Sequence, residues 1–194
     1  SAWGDWRTDP KWAWKLSSRQ GSTGVIGDLG PHLVDATRAV LGEELSVVGG
    51  ATICSQKSGS SLMEDNDLDA NDTFFAVAKA GATAIGSLRA TRVASGHKND
   101  LSLSEHGTRG ALRLWTDGKN HRLETFIYED LANGSWRTVT FPPVASIYEA
   151  FIRSVENLEV REPSFATGER VQRVLDQIAA LQKVDLRLAG VSHT

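Results

Sequence analysis

Asp28, His32 and Asp35 stand close together in the run Gly24-Val25-Ile26-Gly27-Asp28-Leu29-Gly30-Pro31-His32-Leu33-Val34-Asp35. On one helix they would occupy positions i, i+4 and i+7, which puts two carboxylates and an imidazole on one side. Histidine's unperturbed pKa lies near neutrality, so it can take or give a proton at working pH. A carboxylate one turn away can orient the ring and favour its charged form. The spacing therefore allows an acid–base pair of Asp28 and His32. It equally allows an ordinary helix histidine, with Asp28 as a cap or a favourable charge near a helix start. Asp35 reads on the same terms as a solvated carboxylate.

The elements that must position these residues are legible around them. Pro31 suits the first position of a helix, where its missing N–H is no loss. Gly42 suits the stop, where a left-handed residue is commonly needed. Leu33, Ala36, Val40 and Leu41 would form the apolar face. A β-like run follows over residues 45–54. Residues 55–71 are polar and contain Glu64, Asp65, Asp67 and Asp69. These acids lack the glycine and glutamate of a calcium loop counted from Asp65, so a solvated loop is expected.

Strand-like runs then succeed one another over residues 73–78, 82–93, 101–105, 111–115, 123–128 and 136–141. Turn signals at 79–81, 107–110, 117–118 and 133–134 separate them, and Pro142-Pro143 ends the series. Consecutive strands on short turns argue for a mainly antiparallel sheet. Two amphipathic helices close the chain. One carries Ile147, Phe151, Val155 and Leu158. The other carries Val171, Val174, Leu175, Ile178 and Leu181, with Thr167 able to cap it. Residues 186–188 read as a last short strand. The fold class is α+β: a mainly antiparallel, open-faced sheet with helices packed on one face, over one domain of residues 1–194.

Composition narrows the function classes. The chain has 194 residues, 40% hydrophobic and 23% charged, which suits a globular domain with a real core. Its net charge of -3 gives no general electrostatic case for nucleic acid or an anionic membrane. No apolar run is long enough to span a bilayer. The single Cys54 fits a reducing compartment, and no signal peptide opens the sequence, so a cytoplasmic protein is expected. His32, His97, His106, His121 and His193 show no zinc-hydrolase spacing, and no nucleophile elbow is present. No metal site is expected.

The segment from Gly21 to Asp35 resembles the opening of the C-terminal domain of the Gfo/Idh/MocA oxidoreductases, the family of glucose–fructose oxidoreductase and inositol dehydrogenase. That opening is a run of glycines, an aspartate, a glycine, a histidine and a second aspartate, then a short helix ending in Leu-Gly, here Leu41-Gly42. Glu105-His106-Gly107-Thr108-Arg109-Gly110-Ala111-Leu112 is similar to the family's strand and Gly-x-x-Gly-x-Leu turn. Glu162-Pro163-Ser164-Phe165-Ala166-Thr167-Gly168 resembles the approach to its closing helix. Departures are Ser22-Thr23 in place of glycine, and Gln182-Lys183 in the last helix, where a serine is usual.

The resemblance implies an NAD(P)-dependent oxidoreductase acting on a sugar or polyol. It assigns His32 as proton acceptor from the substrate hydroxyl and Asp28 as its partner. It places Asp35, Lys15 and Trp14 as substrate contacts. Trp3 and Trp6 are expected to cover the core. The glycines at 24, 27 and 30 do not make G-x-G-x-x-G, and no Rossmann unit surrounds them. NAD or NADP is therefore expected on a dinucleotide-binding domain that this sequence lacks, and the isolated chain is expected to be inactive. Homo-oligomerisation through the sheet is expected as well. The competing reading is a non-catalytic binding or assembly module that keeps the fold without the chemistry.

Overall fold

The computed structural model describes residues 14–55, 69–94, 96–97, 99–159 and 162–186. Trp3, Trp6, Trp12, Glu64, Asp65, Asp67 and His193 lie outside them, as does the end of the strand expected over 186–188. The described residues form two compact units, one before residue 95 and from Phe165 onward, the other over Gly96–Ser164.

In the first unit, a 3-10 turn at Ser18–Gln20 precedes helix α1 (Gly24–Asp28) and helix α2 (Gly30–Leu41). Strands β1 (Leu45–Ser55), β2 (Thr73–Ala80) and β3 (Ala84–Thr91) follow. Later in the chain, helix α4 (Phe165–Ala179) and strand β8 (Gln182–Leu186) belong to the same unit. The sheet runs in the order β3-β2-β1-β8, antiparallel except where β8 lies parallel to β1.

The physical reason for this layout is visible along β2, where burial alternates strictly. Phe74, Ala76, Ala78 and Ala80 are buried on one side, against Val25, Ile26, Val34, Val174, Leu175 and Ile178 of the helices. Phe75, on the other side, is 45% exposed, and Ile85 of β3, on the same face, 70%. Helices cover one face and leave the other open, as the alternating pattern requires. The small alanines of β2 let the helices approach the sheet closely. A bulge between Val47 and Gly49 shifts the register of β1 against β2.

Local signals fix the helix ends. Gly42 closes α2 in the left-handed region, and its N–H donates to the Arg38 carbonyl over 2.8 Å. The buried face of α2 is centred on Gly30, Val34 and Thr37; of the expected stripe Leu33 and Leu41 pack at its edge, while Val40 is exposed. Two details explain the rotation. Gly30 has no side chain to hold off Leu175, whose Cδ2 a Cβ there would meet at 2.9 Å. Thr37 can be buried because its hydroxyl donates to the Leu33 carbonyl. Helix α4 begins at Phe165, ahead of the expected cap at Thr167, and buries Val171, Val174, Leu175 and Ile178 as its spacing predicts. Gln182 and Lys183, expected in that helix, belong to β8.

The second unit is a meander. Strands β4 (Leu101–Gly107), β5 (Gly110–Thr116), β6 (His121–Ile127) and β7 (Arg137–Thr138) lie in that order, all antiparallel. Leu101 and Leu103 of β4 are half-buried, with exposed Ser102 and Ser104 between them, as the alternation predicts. The opposite face carries a charged ladder. The buried Glu124 carboxylate accepts from Arg113 and Arg122, and the Arg113 guanidinium sits 4.2 Å from the Trp136 ring centroid. Asp117 organises the β5–β6 turn by accepting from the N–H groups of Lys119 and Asn120. Helix α3 (Ile147–Asn157) opens with a capping box of Ser146 and Glu149. The strands expected between residues 45 and 128 are present, divided between two four-stranded sheets, whereas the one expected over 136–141 pairs only at Arg137–Thr138.

Candidate active site

The site is built on the start of α1. Gly24 has φ +66, and a Cβ there would stand 2.4 Å from the Asn71 carbonyl oxygen. Only glycine fits that backbone and that contact. The first N–H groups of the helix are all satisfied. Gly24 N donates to Ser22 Oγ over 3.0 Å, Val25 N to the Asn71 carbonyl over 2.9 Å and Ile26 N to Asn71 Oδ1 over 3.2 Å. Asn71 also donates through Nδ2 to the Thr23 carbonyl. One asparagine from the segment ahead of β2 thus ties down the glycine run.

Asp28 ends α1 with its carboxylate between two cations. Lys15 Nζ is 2.8 Å from Oδ1, and a terminal nitrogen of Arg92 is 2.9 Å from Oδ2. Partial burial pushes the Asp28 pKa up, but the hydrogen bond from Lys15 and the charges of Arg92 and Lys15 outweigh it. The net result lies below the ordinary carboxylate value. Asp28 is therefore a fixed anion at working pH.

His32 is exposed on α2, and Asp35, one turn further along the same helix, is half-buried. Neither makes a hydrogen bond among the described residues. Backbone bonds run through the junction between the helices, from Leu29 N to the Val25 carbonyl and from Leu33 N to the Leu29 carbonyl. Asp28 and His32 accordingly keep the one-turn spacing of the sequence pattern across the break at Leu29. No hydrogen bond joins the Asp28 and His32 side chains among the described residues. The Asp28 carboxylate instead takes charge-assisted hydrogen bonds from Lys15 and Arg92.

Trp14 and Lys15, expected as substrate contacts, join this cluster from the N-terminal side. The Lys15 ammonium lies 5.5 Å from the Trp14 ring centroid, and Trp14 is 49% exposed. The structure thus gathers Trp14, Lys15 and Asp28 in contact, with His32 and Asp35 on the adjoining helix. Sequence reasoning missed Arg92 and Asn71, which reach the motif from far along the chain. No local pattern marks either of them.

Residues 1–113 match the GFO/IDH/MocA C-terminal domain, more than half of the chain. The chain belongs to the GFO/IDH/MocA family. Levoglucosan dehydrogenase of Pseudarthrobacter phenanthrenivorans is 24% identical over 90% of this chain and 54% of its own length. The solved structure of a levoglucosan dehydrogenase with NADH and levoglucosan is 25% identical, with a TM-score of 0.74 over 90% of this chain and 52% of that one. An oxidoreductase domain protein from Kribbella flavida, 23% identical, shares the fold at a TM-score of 0.69 over 85% of this chain and 51% of that one. This GFO/IDH/MocA chain therefore spans about half the length of these relatives.

The N–H groups of the glycine run do not fit a dinucleotide pyrophosphate, since Ser22 and Asn71 already occupy them. Among the described residues, no group of three or more His, Cys, Asp or Glu could hold a metal ion, and no helix is long and apolar enough to cross a membrane.

Proposed function

We propose that this chain is the substrate-binding and acid–base half of an NAD(P)-dependent oxidoreductase that acts at a hydroxyl-bearing carbon of a sugar or polyol. The observation that carries the reading is the Trp14–Lys15–Asp28 cluster beside an exposed His32, within the residues that match the family domain. An indole face and a set of fixed charges suit a hydroxylated ligand. A relative that shares this domain has been solved with NADH and levoglucosan, which supports a sugar-like substrate and a nicotinamide cofactor.

The geometry supports the following roles for the chain's own residues. His32, exposed and with no side-chain partner among the described residues, is placed to accept the proton of a substrate hydroxyl. Asp28, held ionised, places a fixed negative charge one turn from that histidine. It serves the site as a charge and not as a proton donor. Asp35 and Trp14 contact the substrate. Lys15 holds the Asp28 carboxylate with one N–H of its ammonium and offers a further N–H to a substrate hydroxyl. The cofactor, NAD or NADP, supplies hydride exchange from a dinucleotide-binding portion, because nothing in the glycine run is available to cradle it. The whole of residues 1–194 acts as one C-terminal functional domain. The open sheet face around Phe75 and Ile85 supports a homo-oligomer, and the lone Cys54 supports a cytoplasmic setting.

The test is NAD(P)-dependent oxidation of a panel of sugars and polyols, levoglucosan included, by the complete protein and by residues 1–194 alone. Turnover is expected from the first and none from the second. In the complete protein, His32→Ala should lower kcat by about two to four orders of magnitude, the range of a general acid–base contribution. Turnover unchanged by His32→Ala would favour the non-catalytic module.

A further inference from the structure

The Arg92 guanidinium follows the last residue of β3 and is 10% exposed. It donates to three acceptors from three places in the chain: the Lys15 carbonyl over 3.0 Å, the Gly24 carbonyl over 3.2 Å and Asp28 Oδ2 over 2.9 Å. Its own backbone N–H donates to the Asp72 carbonyl over 2.9 Å, next to the asparagine that ties down α1. The Lys15 carbonyl accepts from Ser22 Oγ as well, over 2.7 Å. One planar cation therefore fastens the segment carrying Lys15, the first residue of α1 and the carboxylate at the end of α1. A rigid fork of five N–H donors can reach three such acceptors at once, whereas an ammonium on a flexible stem cannot hold them in one plane.

We propose that Arg92 is a positioning residue of the site: its guanidinium sets the place and orientation of the Asp28 carboxylate relative to α2 and keeps Lys15 seated on the other oxygen. Arg92 acts through Asp28 and Lys15. The consequence for catalysis rests on the function proposed above, while the effect on the carboxylate does not.

Two measurements test this. In the 194-residue chain labelled at aspartate carboxyl carbons, the Asp28 signal is followed by NMR as pH is lowered. Arg92→Gln should move its titration midpoint up by about one unit, the lower end of what an adjacent opposite charge does to a carboxylate. Arg38→Gln is the control. Arg38 is an equally buried arginine of the same unit, paired with Glu44. It should leave the Asp28 midpoint unmoved even where it lowers stability. An Asp28 midpoint unmoved by Arg92→Gln, or moved equally by Arg38→Gln, overturns the proposal. If Arg92→Gln does not fold, the unsubstituted chain still decides. Its Arg92 guanidinium proton signals must shift as Asp28 titrates, and signals insensitive to that titration overturn the proposal.

In the complete protein, Arg92→Gln should lower kcat by about a hundredfold with little change in KM, the scale of a small misplacement of a catalytic group. Arg92→Lys should keep the Asp28 midpoint low yet recover only part of kcat, because it restores charge without the fork. Full kcat in Arg92→Gln would overturn the positioning role. Absence of any dehydrogenase activity in the unsubstituted complete protein would instead remove the proposed function and leave the carboxylate titration as the measure of Arg92.

Discussion

Asp28 sits between two cations at the candidate site, and its charge is set by its neighbours. Burial alone would favour the neutral acid, but Lys15 and Arg92 reverse that preference and hold the pKa below the ordinary 3.8. A carboxylate whose folded pKa is depressed contributes stability above its unfolded pKa and loses it as pH falls through the folded value. The chain should therefore lose stability as pH drops below about 5, through 3.8 and beyond, and Asp28→Asn should flatten that loss. Urea unfolding of both proteins at neutral pH and at successively lower pH checks this. Equal slopes against pH would show that Asp28 is not among the responsible groups. The chemical types of this site were legible in the motif itself, because Asp, His and Asp at helical spacing are visible in a linear sequence. The partners of Asp28 were not. Arg92 lies 64 residues away and reads locally as an unremarkable end of a strand.

At the scale of elements, two glycines stand in opposite circumstances. Gly24 takes a left-handed backbone against the Asn71 carbonyl, so an alanine there faces both strain and a backbone clash. Gly168 lies in α4 with open space around it. Gly24→Ala should lower stability by about 1–3 kcal/mol, the cost of a strained backbone position. Gly168→Ala should raise it by about 0.5–1 kcal/mol, the helix preference for alanine over glycine. Chemical unfolding of the two variants reads opposite signs from one substitution type. If both shift the same way, the Asn71 clamp does not constrain Gly24. The stop of α2 at Gly42 and the buried stripe of α4 were readable because each depends on neighbours within a turn or two. The face of α2 was misread by a fraction of a turn. Its orientation depends on Gly30 meeting Leu175, a contact between residues far apart in sequence.

At the scale of the molecule, the first unit's sheet presents helices on one side and an open side bearing Phe75 and Ile85. These exposed apolar side chains share the face with Lys79, Ser87 and Arg89, and they support the homo-oligomer proposed above. Ile85→Glu should shift the chain toward monomer without loss of fold, since Ile85 is 70% exposed and packs little within the chain. Light scattering at matched concentrations, with circular dichroism as the fold control, checks it. An unchanged mass in a sample that was oligomeric would place the interface elsewhere. By itself the sequence determined the α+β class, the antiparallel strands, the family resemblance and the identity of the Asp28–His32 motif. The class and the strands rest on periodicity, turn chemistry and spacing, which act over a few residues, while the roles given to Asp28 and His32 rest on the resemblance of the segment from Gly21 to Asp35 to the family. The tertiary structure alone decided how the strands divide between two sheets, that Asp28 is held by Lys15 and Arg92 and not by His32, and that Asn71 occupies the N–H groups of the glycine run. Those outcomes are set by contacts between segments tens of residues apart, where geometry and charge choose among partners that a linear pattern leaves equal.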